Sequence, residues 1–367
     1  MTGTNRRMRI LHILNHTNQL NGHVHAAVDL ACAQSADGHQ VMIASGGGDF
    51  DALLAREGVE TARIDHNRKP LILAGSVLRL RRLVRDWQPD VVHAHMMTSA
   101  VLAWPVCRLA GVPLITTVHN AFEKSAVLMG LGTRVIAVSE AVRQSMETRG
   151  IPARKLVTVL NGTIGTVRFR GREAMREPLD HPAILFVAGL HPRKGLPDLI
   201  DAFAIVHARH PEARLYIVGE GPFRDAYEDM ARALPCGAAV TFAGGQRDPS
   251  PWMRGADIFV LPSHDEPAGL VLSEAREAGC AVIGTRVGGI PEMLDRGAAG
   301  ILVPPGDPPA LAEALDRLLS DPAALADWRA KSQINIDNLT IGRVMRQTLD
   351  VYVTARAGKS PRQRVAA

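Results

Sequence analysis

Residues 263–292 read SHDEPAGLVLSEAREAGCAVIGTRVGGIPE, and their pattern decides the fold. Just ahead of them, residues 256–262 form a short apolar run closed by Pro262. Proline cannot continue a ladder, so the run reads as a buried strand that ends there. From Gly269 to Gly279, Leu270, Leu272, Ala275 and Ala278 recur at mixed three- and four-residue spacing, with glycine at the end. This predicts a helix packed on that strand. A second strand over residues 281–285 and a second glycine turn follow, with Pro291 near the first position of the next helix. The first helix turns its amino end toward the loop, where the amides of Ala268, Gly269 and Leu270, with the helix dipole, suit an anion such as a diphosphate. Glu266 in the loop and Glu274 in the second helical turn each offer a carboxylate that can accept paired hydrogen bonds from vicinal hydroxyls. Phosphates on amides, ribose on one glutamate and a sugar near the other describe a nucleotide sugar.

Glu266, seven intervening residues, Glu274, then Gly288, Gly289 and Glu292 form an ordered set that resembles the signature of the retaining GT-B glycosyltransferases of family 4, glycosyl transferases group 1. Any single glycine turn with a solvated glutamate is ordinary in α/β proteins; the ordered set is what carries the resemblance. It implies an α/β GT-B fold: two Rossmann-like, doubly wound domains facing across a cleft, with a C-terminal helix returning to the first. It also implies transfer of a sugar from a nucleoside diphosphate sugar to a hydroxyl with retention. No metal and no cofactor are implied beyond the nucleotide sugar as co-substrate. Glu266 would orient the sugar, Glu274 the ribose, and Glu292 would support the Gly288–Gly289 loop.

The rest of the chain fits around this stretch. Residues 183–195 are a strand followed by a basic loop bounded by glycine, which places Lys194, with Arg193 beside it, where an ammonium neutralises a diphosphate. In the family's phosphate clamp an arginine accompanies the lysine, and its position falls on Gly189 here. Residues 214–222 are a strand and glycine turn with Gly219 and Glu220, similar to the turn beside the donor nucleotide. In the first half, a strand over 8–14, a loop with Gly22 and a helix over 23–35 make the opening βα unit, Gly22 allowing close backbone approach to phosphates. There is no GxGxxG, which disfavours a dinucleotide oxidoreductase. Strands over 40–44, 90–94, 114–118 and 134–138 alternate with helices, requiring parallel crossovers and ligands at their carboxyl ends. His93, His95 and His119 fall at such ends, and His119 matches the family's histidine facing the donor sugar. Neither His23 with His25 nor His93 with His95 has a carboxylate or third ligand nearby in sequence, which argues against a metal. An acidic residue commonly follows AsnGly in the family; Thr163 follows Asn161 and Gly162 here.

At 367 residues two domains are expected. The predicted boundaries are residues 1–168 for an acceptor domain, 169–181 for a linker, 182–340 for the donor domain, 341–357 for the returning helix, and 358–367 for a disordered tail. Cys32, Cys107, Cys236 and Cys280 show no paired spacing and read as reduced core thiols. The apolar run after Arg9 is short and broken by His12 and Asn15, so a first strand is expected rather than a signal peptide. No run approaches the ~20 apolar residues of a membrane span, and a cytoplasmic protein is expected. Net charge is +5, with 22 Lys and Arg against 15 acidic residues in the first 180. Arg68 and Lys69, then Arg79, Arg81, Arg82 and Arg85, lie along a leucine-rich segment ending at Trp87. Such a basic amphipathic helix suits peripheral contact with an anionic membrane at the inner face of the plasma membrane; a wet arginine face on an ordinary helix is the alternative. A saccharide or lipid-linked acceptor is expected, and no nucleic acid. Two other classes stay open: a non-catalytic GT-B partner subunit, and an isomerase acting on the nucleotide sugar itself.

Overall fold

A computed structural model describes residues 7–19, 21–67, 69–171 and 174–358. The expected disordered tail beyond residue 358, and Arg68 of the basic segment, lie outside the described residues. The chain divides into two compact units, one holding residues 1–161, 165–168 and 341 onward, the other 162–164 and 169–340.

Unit 1 alternates strands and helices: β1 (Arg9–Ile13), α1 (Gly22–Ala36), β2 (Gln40–Ser45), α2 (Asp51–Arg56), β3 (Glu60–Arg63), α3 (Pro70–Trp87), β4 (Val91–Ala94), α4 (Met97–Ala110), β5 (Leu114–Val118), β6 (Arg134–Ala137), α5 (Glu140–Thr148) and β7 (Leu156–Thr158). All seven strands are parallel, in the order β3-β2-β1-β4-β5-β6-β7. Parallel strands need crossovers, and the helices supply them. The sheet order reverses between β1 and β4, which pair Ile10 with Val91 and His12 with His93. On one face, Ile10, Val91, Ile115 and Ile136 cluster with Leu30 of α1 and with Val344, Leu349 and Tyr352 of the last helix. That helix buries Ile341, Val344, Met345, Thr348, Leu349, Tyr352 and Ala355, a three- and four-residue spacing that makes one apolar stripe. Full burial of a Val, Leu or Ile side chain is worth about 1.5–3 kcal/mol, which is why the chain end returns to this sheet.

Unit 2 repeats the plan with β8 (Ala183–Val187), α6 (Leu196–His207), β9 (Arg214–Val218), α7 (Arg224–Arg232), β10 (Val240–Gly244), α8 (Ser250–Gly255), β11 (Ile258–Leu261), α9 (Leu270–Glu277), β12 (Ala281–Thr285), α10 (Ile290–Met293), β13 (Ile301–Val303), α11 (Pro308–Ser320) and α12 (Pro322–Lys331); α13 (Ile341–Ala357) belongs to unit 1. Its six parallel strands run β10-β9-β8-β11-β12-β13, and the order reverses between β8 and β11. Leu199, Ile200, Phe203, Leu215, Ile283 and Leu315 belong to one apolar core cluster. Arg276 of α9 is 1% exposed and donates to the carbonyls of Ser332, Met293 and Ile334, tying the segment before α13 to the sheet.

Two edge strands had no signal in the sequence. β3 reads Glu-Thr-Ala-Arg, without apolar alternation, and β13 is three residues cut short by Pro304. Both form because a neighbour offers an open edge. In the stretch 169–181, the amide of Glu177 donates to Pro251 and that of Asp180 to the Tyr216 hydroxyl, so this stretch packs on unit 2.

Candidate functional site

In unit 2 the chemistry gathers at the reversal point, where a ligand is expected in a doubly wound sheet. After β8 a tight turn, Pro192–Lys194, carries Lys194 and closes on Gly195 at φ +67°. A Cβ on Gly195 would lie 1.9 Å from the Pro262 carbonyl oxygen, so glycine is what lets this loop lie against the end of β11. The His264 amide donates to the Arg193 carbonyl at 2.8 Å, and the His264 ring meets Asp198 at 2.6 Å, closing the same seam. Lys194 Nζ forms an ion pair with the Glu266 carboxylate. The Lys194 side chain is 14% exposed and that of Glu266 8%, so neither charge is far from its partner or fully in water. Ser263 Oγ reaches Glu266 Oε2 at 3.4 Å, and Thr285 Oγ1 donates to the Ser263 carbonyl at 2.5 Å. The glycine pair after β12 locks the arrangement. The Gly289 amide donates to the Glu266 carbonyl at 2.9 Å, and a Cβ on Gly288, at φ +49°, would lie 1.9 Å from that oxygen. Glu266 is therefore held by three loops at once. Asp265 beside it has a carboxyl raised above its ordinary range, by desolvation first and by the Glu266 charge second.

α9 starts at Leu270, behind Gly269 at φ 75°, and no side chain caps it. Its first amides, next to buried Ala268, are left for a ligand or solvent, as helix starts require. Glu274 is half-buried on the second turn, and Glu292 half-buried in the first turn of α10. Gly219 is at φ +152° with the Ala188 carbonyl oxygen 1.9 Å from where a Cβ would sit, so the loops after β8 and β9 touch through backbone. The Glu220 carboxylate accepts from Arg224 at 2.5 Å and from the Gly245 amide at 3.2 Å, and its carbonyl from the Leu190 amide at 2.9 Å. Gly189 differs from these glycines. It has no positive φ, and the nearest atom to a Cβ there would be the Glu220 carbonyl oxygen at 3.8 Å.

In unit 1 the reversal point carries imidazoles. Gly22 is the first residue of α1 and has open space around it. His12 and His93 are cross-strand neighbours, and His95 continues the His93 face beyond β4. His12 Nδ1 lies 2.9 Å from His95 Nε2, and His95 Nδ1 lies 3.1 Å from His119 Nε2. Behind them, His12 Nε2 meets Gln34 Oε1 of α1 at 2.8 Å, Gln34 Nε2 meets the Tyr352 hydroxyl of α13 at 3.3 Å, and that hydroxyl meets His93 Nδ1 at 2.6 Å. His93 Nε2 ends on Thr117 Oγ1 at 2.6 Å. Burial draws His12 down to about 4 and His119, with His23 adding, down to about 3; His93 and His95 fall well below the ordinary range for the same reason. The rings are neutral at pH 7. His12, His93 and His95 lie close enough together to suggest a metal, but each of their ring nitrogens already has a hydrogen-bond partner. Reading the sequence missed His12, Gln34 and Tyr352. The available signals were a histidine inside the apolar strand IleLeuHisIleLeu and the alternation His93-Ala94-His95, which puts both rings on one face.

Two parallel sheets of this topology, each with a polar reversal point, define the GT-B architecture, and solved structures agree. A glycosyltransferase from Rickettsia africae superposes with a TM-score of 0.83 at 21% identity, over 96% of this chain and 100% of that one. Anabaena HepE in complex with UDP and glucose gives 0.80 at 20% identity, over 95% and 100%. Residues 168–334 match the family model "Glycosyl transferases group 1", and residues 20–163 match "Glycosyltransferase Family 4". Glycogen synthase of Mycobacterium tuberculosis is 33% identical over 314 residues, 79% of this chain and 74% of the relative. D-inositol 3-phosphate glycosyltransferase of an Arthrobacter species is 27% identical over 323 residues, 78% and 76%. The chain belongs to the family 4 glycosyltransferases of GT-B fold, and it is a glycosyltransferase using nucleotide sugars. Among the described residues no helix is long and apolar enough to cross a membrane.

Proposed function

We propose that this enzyme transfers a sugar from a nucleoside diphosphate sugar to a hydroxyl acceptor with retention of configuration, in the synthesis of a cell-surface polysaccharide, lipopolysaccharide or glycolipid. The observation that carries the reading is the Lys194–Glu266 pair, cross-tied by three loops beside the uncapped start of α9. A diphosphate arriving at the Ala268–Leu270 amides competes with Glu266 for the Lys194 ammonium. Glu266 is then free to accept from sugar hydroxyls. As the sugar–phosphate bond breaks, charge grows on the diphosphate, and Lys194 with those amides stabilises it without a metal. Arg193 adds positive charge, Gly219 and Glu220 line the nucleotide, and Glu274 takes the ribose hydroxyls; within unit 1, Gly22 offers backbone to a phosphate and His119 accepts from a sugar hydroxyl. Gly288, Gly289 and Glu292 hold the Glu266 loop.

The acceptor is saccharide or lipid-linked, and the enzyme works in the cytoplasm at an anionic membrane. Leu71 is 88% and Leu78 58% exposed on α3, which also carries exposed Arg79, Arg81, Arg82 and Arg85, and on α4 Trp104 is 41% exposed with Arg108 over its ring. Apolar and aromatic side chains among arginines suit a lipid headgroup boundary. Flotation with liposomes is expected to show binding that rises with anionic lipid; charge-independent or absent binding removes this part. For the main reading, a thermal-shift panel of UDP, GDP and ADP sugars is expected to raise the Tm with one base class, since ligand binding to the folded state adds stability with occupancy. No shift with any donor, together with no transfer to any acceptor, would return the chain to the non-catalytic alternative.

A further inference from the structure

The imidazoles behind His119 form a chain with a direction, and direction decides what His119 can offer a ligand. A phenol O–H is a good donor and an imidazole nitrogen a good acceptor, so the 2.6 Å contact between Tyr352 and His93 Nδ1 places the proton on oxygen. The phenol oxygen then accepts from the Gln34 amide NH₂ at 3.3 Å, which turns the Gln34 carbonyl toward His12. A carbonyl can only accept, so His12 carries its hydrogen on Nε2 and presents an Nδ1 lone pair to His95. His95 Nε2–H donates there, leaving His95 Nδ1 to accept from His119 Nε2–H at 3.1 Å. The other branch closes with His93 Nε2–H donating to Thr117. Every donor meets one acceptor along both branches. Reversing any one link requires reversing all those up to Gln34.

We propose that Gln34, His12 and His95, with Tyr352 setting the orientation of the Gln34 amide, are positioning residues that hold His119 as the neutral Nε2–H tautomer with its Nδ1 lone pair turned outward. His119 Nδ1 has no partner among the described residues, and its ring is half-buried, near His23 with 6.3 Å between centroids. The site therefore accepts a hydrogen bond from a ligand hydroxyl and rejects a carbonyl or phosphate oxygen at that point, because those bring no hydrogen. This deepens the reading of His119 as a sugar-hydroxyl contact and rests on it for the identity of the ligand. The tautomer itself does not depend on that reading.

The test uses the full chain labelled with ¹⁵N-histidine and long-range ¹H–¹⁵N correlation at pH 7.5, with His→Gln variants for assignment. His12, His93, His95 and His119 are expected as neutral Nε2–H tautomers. A His119 that appears as Nδ1–H or as imidazolium overturns the proposal. In Gln34→Leu the carbonyl is gone, and a buried N–H without a partner costs more than a bare lone pair, so the chain should reverse and His119 should become Nδ1–H. With an identified donor and acceptor, Gln34→Leu should lower kcat/KM by about ten- to ten-thousandfold, the span between losing an orienting partner and losing a tautomer. Tyr352→Phe, which only unlocks the amide, should give two His119 tautomers and a smaller loss. Unchanged His119 tautomers in both variants also overturn the proposal. If the tautomers behave as stated but no sugar is transferred, the assignment of function fails and the positioning chain stands.

Discussion

The two units place their chemistry at the same topological point and furnish it in opposite ways. Between β8 and β11, unit 2 keeps a formal charge pair, Lys194 and Glu266, on loops that touch through backbone at Gly195, Gly219 and Gly288. Between β1 and β4, unit 1 keeps neutral rings, and all four of the buried histidines among the described residues, His12, His39, His93 and His95, belong to it. A buried pair of charges needs exact partners on both sides, whereas neutral imidazoles need only a consistent direction of donors. Unit 2 is thus sensitive to backbone placement, and unit 1 to protons.

The sharpest break of this contrast is Gly288→Ala. The methyl would strike the Glu266 carbonyl at a positive φ, and since a 1 Å misplacement can cost about a hundredfold in rate, turnover should fall at least that far. A steady-state assay with the identified donor checks it; near-native turnover would mean the loop seam is not needed. Next, Glu266→Gln keeps the shape and removes the charge, leaving Lys194 without its counter-ion. Turnover is expected to drop about 10²–10³-fold with a smaller change in donor affinity, measured as kcat against KM.

The third prediction concerns unit 1. His12 has a folded-state value near 4 against 6.5 for the free side chain, so between these values the unfolded chain binds more protons than the folded one. Its contribution to stability is whole above pH 6.5 and is lost as pH falls toward 4, at about 1.4 kcal/mol per pH unit. His93 and His95 shift the same way and add to it. Hydrogen exchange at pH 7.5 and pH 5 should show β1 and β4 opening before β8 and β11. Equal loss in both units would erase the distinction. The smallest effect is expected from Gly189→Arg. The site is open and its φ is not in the left-handed region, so the Tm should stay within about 2 °C, no more than about 1 kcal/mol shifts a domain of this size, while nucleotide-sugar affinity rises. A large loss of Tm would show that the loop after β8 is tighter than its geometry indicates.

Particular residues explain what was legible. The unit 2 site was readable because its parts lie in short segments: Glu266 and Glu274 sit eight residues apart across one strand–loop–helix turn, and glycines and prolines punctuate it. The pairing of Lys194 with Glu266 spans 72 residues and was not, and both had been given to different parts of a ligand. The histidine chain was less legible still. Gln34 and Tyr352 stand 318 residues apart and carry no motif. β3 and β13 were missed because edge strands are defined by the neighbour they pair with, not by their own alternation.

By itself the sequence determined two alternating α/β halves, the glycine turns, the uncapped helix start and the carboxylates beside it, because strand, helix and turn preferences act over a few residues. Only the tertiary structure decided which charge meets which, that the last helix brings Tyr352 to the first sheet, and that three imidazoles line up behind His119. Those are contacts between distant segments, and they exist only once parallel strands have brought their carboxyl ends to a common edge.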